Sequence, residues 1–372
     1  MKKRNKVMIV TVSILLVIVL LFVGFDGSFL KQKYTSVWSA KYIEEQDSIQ
    51  SKLVAYGIRA ASSHNSQPWL VKTVDDTTIE LYADMDKALH VVDNDYKQLL
   101  LSQGTFIESY KLGAAINGYS VNVTYNNVEF KDEMPLVATI KIQKDSNLNG
   151  IDATSGSTYD ATNSNENSDL KNILDEMISE YPGFSYTLVE TNSDLEKLEG
   201  MLLEGTIIES RDKEATQELL DVFRWTEWDK NEYRYGLSLN TLPALIKPFV
   251  QPLMKIISKD LDSFGESGIK QFKERLEKQT KYILIHTDNP VAKDYVVSGQ
   301  IYQQLVHEVS DYDLRPAMQV LENFDAMKNL NMQFQAEYGK NGDVVWVIGL
   351  QEKSGKSTNS NPRLLVEDIM IQ

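Results

Sequence analysis

The 372-residue chain contains no cysteine. Disulfides, thiolate nucleophiles, cysteine-ligated zinc and iron–sulfur clusters are therefore excluded, and redox compartment cannot be read from thiol usage. Histidine is scarce: His64, His90, His286 and His307 are the only four, and none has the i, i+4 spacing with an acidic partner that a zinc hydrolase needs. The sequence has no P-loop, no dinucleotide-binding glycine fingerprint and no G-x-S-x-G nucleophile elbow. Positive charge is in deficit, with 38 basic against 53 acidic residues and a net charge of −15, which argues against sequence-independent nucleic-acid binding.

What is present begins at the amino terminus. Lys2, Lys3, Arg4 and Lys6 precede an uncharged run from Val7 to Phe25. At 1.5 Å per residue that run is about 28 Å long, enough for one membrane crossing. The basic cluster predicts an amino terminus held inside and a main domain outside the cytoplasm, in a single-pass cell-membrane arrangement. A cleaved signal peptide is the competing reading, but no small-x-small exit follows the run.

Beyond the anchor, apolar periodicity predicts a helix over 49–60, strands at 70–74 and 78–82, and a long helix over 96–117. Gly104 and Gly113 lie inside that long helix and weaken it unless another backbone packs closely there. Strands follow at 119–125 and 136–142. The run 144–168 is polar and reads as a surface crossover. The second part predicts a helix at 169–179, a strand at 184–189, helix over 194–224 with a break near Ser210, and helix over 264–279. A strand at 281–286, a helix from Val291 to Ser310, a loop at 311–316 and a strand at 343–350 complete it. The apolar run 242–257 carries Pro243, Pro248 and Pro252 and reads as an irregular lid.

The stretch 61–84, ASSHNSQPWLVKTVDDTTIELYAD, organises the rest. A polar loop closes a helix, and a Pro68–Trp69 step leads into a hairpin. Small polar residues and free backbone N–H groups at the end of a helix suit ligand binding. The run SSHNSQPW resembles the signature loop of the nitroreductase-like flavoproteins, in particular the actinobacterial dormancy-type branch in which one chain holds both halves of the usual dimer. The segments GQIYQQLVHEVSDYDLRPAMQVLE (299–322) and NPRLLVEDIM (361–370) resemble that family's second-half helix with its following loop and its closing Pro-Arg segment.

The resemblance implies an α+β nitroreductase-like fold with two pseudo-dimeric halves and FMN at their junction. It divides the chain into an anchor (1–30), a first half (31–143), a crossover (144–168) and a second half (169–372) carrying the lid at 242–257. Ser63 and Asn65, with Gln67 beside them, would meet the flavin ring; Pro316, with Asp313 and Leu314, would lie over it; Arg363 would reach the phosphate. His64 reads as a loop-specific structural residue. No protein side chain would be catalytic, since flavin N5 carries the hydride, and no metal is implied. The implied activity is two-electron reduction of a nitro-aromatic, quinone or similar acceptor by a functional monomer with small-molecule electron donors and acceptors. A flavin-binding or flavin-sequestering protein with little turnover is the alternative. The family's arginine-rich RxTxR crossover is replaced here by IDATSGSTYDAT, which leaves Arg59, Arg211 and Arg363 as substitute phosphate ligands.

Overall fold

The computed structural model describes residues 2–148, 170–239, 242–243, 245–309, 311–353 and 361–372. The expectations resting on residues 149–168 of the 144–168 crossover, Tyr159 among them, lie outside the described residues. The chain opens with α1 (Lys2–Asp26), whose apolar stretch within Lys6–Asp26 has a mean hydropathy of 3.2 and is not buried, while Asp26 at its end is buried against the domain. By length and composition this helix is able to cross a membrane.

After α2 (Ala40–Glu44) and α3 (Ile49–Gly57) come β1 (Trp69–Asp75) and β2 (Thr78–Ala83), then α4 (Lys97–Ile116), β3 (Tyr119–Tyr125) and β4 (Leu136–Lys144). The remaining chain runs α5 (Leu170–Ser179), β5 (Phe184–Val189), α6 (Asn192–Arg211), α7 (Lys213–Asp221), α8 (Glu227–Tyr233), α9 (Lys247–Ile257), α10 (Leu261–Leu276) and β6 (Lys281–Thr287). It ends with α11 (Ala292–Glu308), β7 (Tyr312–Pro316), α12 (Lys328–Tyr338), β8 (Asp343–Glu352), α13 (Val366–Ile369) and β9 (Met370–Ile371). The architecture is mixed α/β.

One sheet has the order β3-β4-β2-β1-β9 and the other β5-β6-β8-β7. Read from β7, the second sheet runs β7-β8-β6-β5, which repeats β3-β4-β2-β1 strand for strand. The pairs β1–β2, β2–β4 and β3–β4 are antiparallel, as are their counterparts β5–β6, β6–β8 and β7–β8. In each set a long helix, α4 or α11, separates the second strand from the third. The carboxyl-terminal β9 leaves the second set and pairs in parallel with β1, Val71 opposite Met370.

The two long helices cross at glycines. A Cβ on Gly104 would stand 1.9 Å from the Val296 carbonyl oxygen, and one on Gly299 would stand 2.0 Å from that of Leu101. The backbones therefore touch, and only glycine permits this approach. Gly113 is explained differently: its missing side chain makes room for the Tyr56 ring.

Three sequence expectations change. The 311–316 loop is strand β7, with Tyr312 opposite Glu352 and Pro316 opposite Ile348. As a short terminal strand at the sheet edge it tolerates a proline at its end. The 242–257 lid contains a regular helix, α9, because Pro248 falls in the first turn, where no N–H is needed, and Pro252 removes just one ladder bond. The stretch after 350, for which periodicity predicts no helix or strand, carries α13 and β9, too short to leave a periodic signature.

Candidate functional site

The signature loop starts where α3 ends. Ser63–Asn65 forms a single helical turn in which His64 (φ 47°), Asn65 (φ 55°) and then Gln67 (φ 53°) adopt left-handed backbone conformations. Three such non-glycine residues in four positions store strain, which persists only where surrounding contacts over-determine it. Those contacts are explicit. The Ser62 hydroxyl accepts from the Gln67 N–H at 3.0 Å, and the Ser102 hydroxyl from the Ser63 N–H at 3.1 Å. Thr105 donates to the Ala61 carbonyl at 2.5 Å and Gln103 to that of Pro68 at 2.5 Å. Trp69, fully buried, donates from its indole to Ser102 O at 2.8 Å. The loop is thus bolted to the first turns of α4.

Its outward polar groups are occupied by the chain itself. The Asn65 amide donates to Gly236 O and Pro362 O, each at 3.0 Å, while its oxygen accepts from the Arg363 guanidinium. Gly236 N–H donates to Asn65 O at 2.8 Å. Buried Gln67 donates to Arg234 O (3.1 Å) and Pro362 O (3.2 Å) and accepts from Leu364 N–H at 2.9 Å. The Ser63 hydroxyl donates to Gln98 Oε1 at 2.8 Å. Arg363 is buried, lies 4.9 Å from the centroid of the Trp38 ring, and donates to the Arg59 and Ala60 carbonyls that end α3.

The covering segment is itself a closed loop. Arg224 N–H donates to Leu237 O at 2.7 Å and Leu237 N–H to Val222 O at 3.0 Å, pinching its two ends together. Gly236 (φ 92°) is required at the pinch, since a Cβ there would lie 2.1 Å from Val222 O. Arg224 stacks on Tyr233 and Tyr235, and Arg234 binds Asp368 through both guanidinium arms.

The second-half segment reaches the signature loop by an indirect route. Pro316 ends β7, and the turn after it delivers Glu322, whose carboxylate accepts from Gln98 Nε2 at 3.4 Å. Gln98 thus links Glu322 to Ser63. Around this link the junction is acidic. Asp93 accepts from the Gln98 and Leu99 N–H groups, yet burial outweighs them and pushes its carboxyl up to about 8. Glu322 is raised well above the usual range, first by burial and then by Glu209, which burial also raises. Glu218 accepts from the Val91 and Val92 N–H groups. Burial alone pushes the His64 imidazole down to about 4, so it is neutral at neutral pH. No group of three or more His, Asp or Glu among the described residues converges as a metal site.

These residues do not fit FMN in this arrangement. The cavity beside the start of α4 measures about 210 Å³ and is lined by Asp93, Asp95, Glu322 and Asp343 with Lys97 as its cation. That is smaller than the roughly 300–1,000 Å³ of cofactor-sized pockets, and its lysine is already paired with Asp95 at 2.8 Å, which leaves a phosphate no counter-charge there. Nor, among the described residues of the domain, is an arginine turned toward such a group. Besides Arg224, Arg234 and Arg363, Arg59 binds the Val37 and Ser39 carbonyls, Arg211 pairs with Glu266, Arg275 lies over Phe272, and Arg315 pairs with Asp313.

Neither the cover (Arg234, Gly236) nor the buried acids Asp93, Glu209 and Glu322 can be picked out in the sequence. Glu209 and Glu322 look like ordinary solvated charges, and nothing in the local pattern marks them as buried. An E-Y-R-Y-G run ending in glycine was the one signal available for the cover.

No family model matches the chain. A 70-residue stretch is 34% identical to the provisionally named NAD(P)H nitroreductase acg of Mycobacterium tuberculosis, in strains CDC 1551 / Oshkosh and ATCC 25618 / H37Rv. The match covers 19% of this chain and 21% of the relatives, so the chain spans about a fifth of their length. A crystal structure of a provisionally named nitroreductase from Anabaena variabilis ATCC 29413 aligns over 74% of this chain and 69% of that one, at 12% identity and a TM-score of 0.33. The stretch of sequence establishes a distant, partial relationship to these nitroreductases.

Proposed function

We propose that the chain is a membrane-held oxidoreductase of the nitroreductase type, with both halves of the usual dimer in one polypeptide. The observation that carries this reading is the repeated strand order around the α4–α11 crossing, with the SSHNSQPW loop at the junction of the two sets. The exchange of β9 onto the first sheet is what a dimer with swapped carboxyl termini becomes when its subunits are fused. The relationship to nitroreductases supports FMN as the cofactor and a quinone or nitro-aromatic as acceptor. A domain outside the cytoplasm would take its electrons from a membrane carrier and not from a nicotinamide pool.

The arrangement described is a closed one, and FMN entry requires the 222–237 cover to withdraw. Because apparent affinity falls with the fraction of competent protein, closure weakens FMN uptake. Closing again over a flavin already bound, the same cover would shield it from acceptors, which favours a second reading, a flavin-sequestering protein with little turnover.

Absorbance of the detergent-purified full chain, incubated with FMN and desalted, tests both. Bands near ~370 and ~450 nm report oxidised flavin. The wild type is expected to retain little, and an Arg224→Ala/Arg234→Ala variant with a loosened cover much more. After dithionite reduction, rapid reoxidation by a quinone supports the oxidoreductase; retained flavin that stays reduced supports sequestration. No uptake by either protein would sink both readings and leave a flavin-free scaffold.

A further inference from the structure

The carboxyl end of α1 is seated on the domain and is not loosely tethered. Trp228 donates from its indole to Gly24 O at 3.0 Å and its ring lies 5.8 Å from that of Phe29. Lys33 N–H donates to Asn231 at 2.9 Å. Beside this seat runs α9, whose Phe249 ring is 5.5 Å from that of Phe22, in the last turns of the apolar span.

One face of α9 is spoken for: Gln251 and Pro252 are buried, and Lys255 binds the Asp229 carboxylate at 2.7 Å. The other face is apolar and open. Ile246, Leu253, Ile256 and Ile257 follow the i, i+3, i+4 spacing of a single stripe, with exposures of 46, 52, 60 and 52%. Phe25, Phe29 and Trp228 are exposed around it. Elsewhere among the described residues of the domain, the exposed large aliphatic side chains, Val74, Met134, Val291 and Met332, come from four separate segments of the chain. An apolar stripe of this kind, level with the end of a spanning helix and ringed by aromatic residues, has the composition of a membrane-interface element.

We propose that α9 lies in the membrane interface with its Leu253–Ile256–Ile257 stripe at the boundary between headgroups and acyl chains. The domain then rests on the bilayer at two points and is fixed in orientation about α1. This inference rests on the reading of α1 as a membrane span. The occupant is lipid because the stripe is continuous with that span; a second copy of the chain is the alternative the test must separate.

The cysteine-free sequence permits single labels on the full-length protein. Ile14→Cys (mid-span), Ile256→Cys and Val291→Cys are each labelled with an environment-sensitive fluorophore and reconstituted in phosphatidylcholine/phosphatidylglycerol vesicles. The label at 256 is expected to lose most of its emission to lipids spin-labelled near the headgroup and little to aqueous iodide. The label at 14 should respond to lipids spin-labelled in mid-chain, and the label at 291 to iodide alone. A label at 256 that behaves like the one at 291, while 14 is quenched in mid-chain, overturns the proposal and leaves the anchor standing. A label at 256 shielded from both quenchers overturns it in favour of self-association. A label at 14 open to iodide removes the span and the proposal together.

Discussion

Gly104→Ala and Gly299→Ala are each expected to destabilise the protein by about 3 kcal/mol or more, at or above the upper end for overpacked cores. The reason is the identity of the neighbour. The added methyl would meet a main-chain carbonyl, Val296 O or Leu101 O, at about half a normal contact distance. A side chain could rotate away, but a helix carbonyl cannot move without its hydrogen-bonded turn. Relief therefore requires α4 and α11 to separate along their whole crossing, loosening the Thr105 and Gln103 bonds that hold the signature loop. Gly200→Ala, at a helical position with nothing nearby, should instead stabilise slightly through helix propensity. Urea unfolding of the three variants checks this; equal effects at 104 and 200 would mean that the helices do not touch.

Glu227→Ala should cost about 3–5 kcal/mol, the usual loss when one member of a buried ion pair is removed. Glu227 accepts from Tyr34 (2.6 Å), Gln32 (3.0 Å), Lys230 (3.0 Å) and Lys247 (2.7 Å), and both it and Lys230 are buried. Removing the carboxylate leaves the buried Lys230 ammonium without its counter-ion beneath α1. Replacing both, as Glu227→Met/Lys230→Met, should recover most of the loss, because two apolar groups avoid the desolvation cost. The pH dependence has a definite sign. Burial would raise the Glu227 pKa, but Lys230, Lys247 and Tyr34 outweigh it and hold the carboxyl at about 2. A depressed carboxyl contributes its stability above the unfolded value and loses it as pH falls from about 4.3 toward 2. Thermal unfolding between these limits should show a steeper decline in the wild type than in Glu227→Met/Lys230→Met; parallel declines would contradict the assignment.

Much of the first half was legible because its signals are local. The hairpin 69–83 alternates around a two-residue turn, and α4 is apolar enough to announce a core helix. Gly104, out of place in such a helix, pointed to a close backbone contact, which α11 supplies. The 194–224 helix breaks at Asp212, where the side chain caps α7 by accepting from the Glu214 and Ala215 N–H groups, two residues past the expected break. What was illegible is set by long-range pairing. Strand β7 carries Asp313 and Arg315 on one exposed edge and becomes a strand only because β8 lies beside it. Residues α13 and β9 acquire order from β1, some 300 positions earlier in the chain. The cover over Asn65 and Gln67 depends on backbone carbonyls of Arg234, Gly236 and Pro362, and carbonyls have no sequence signature.

Amide hydrogen exchange of the full-length protein in detergent reads the clasp on the signature loop most directly. Gly236 N–H is bonded to Asn65 O and Leu364 N–H to Gln67 Oε1, so both should exchange slowly in the free chain and faster in Arg224→Ala/Arg234→Ala. Rapid exchange at both amides in the wild type, slowed by added FMN, would contradict the closed arrangement and show that the cofactor itself fills that place.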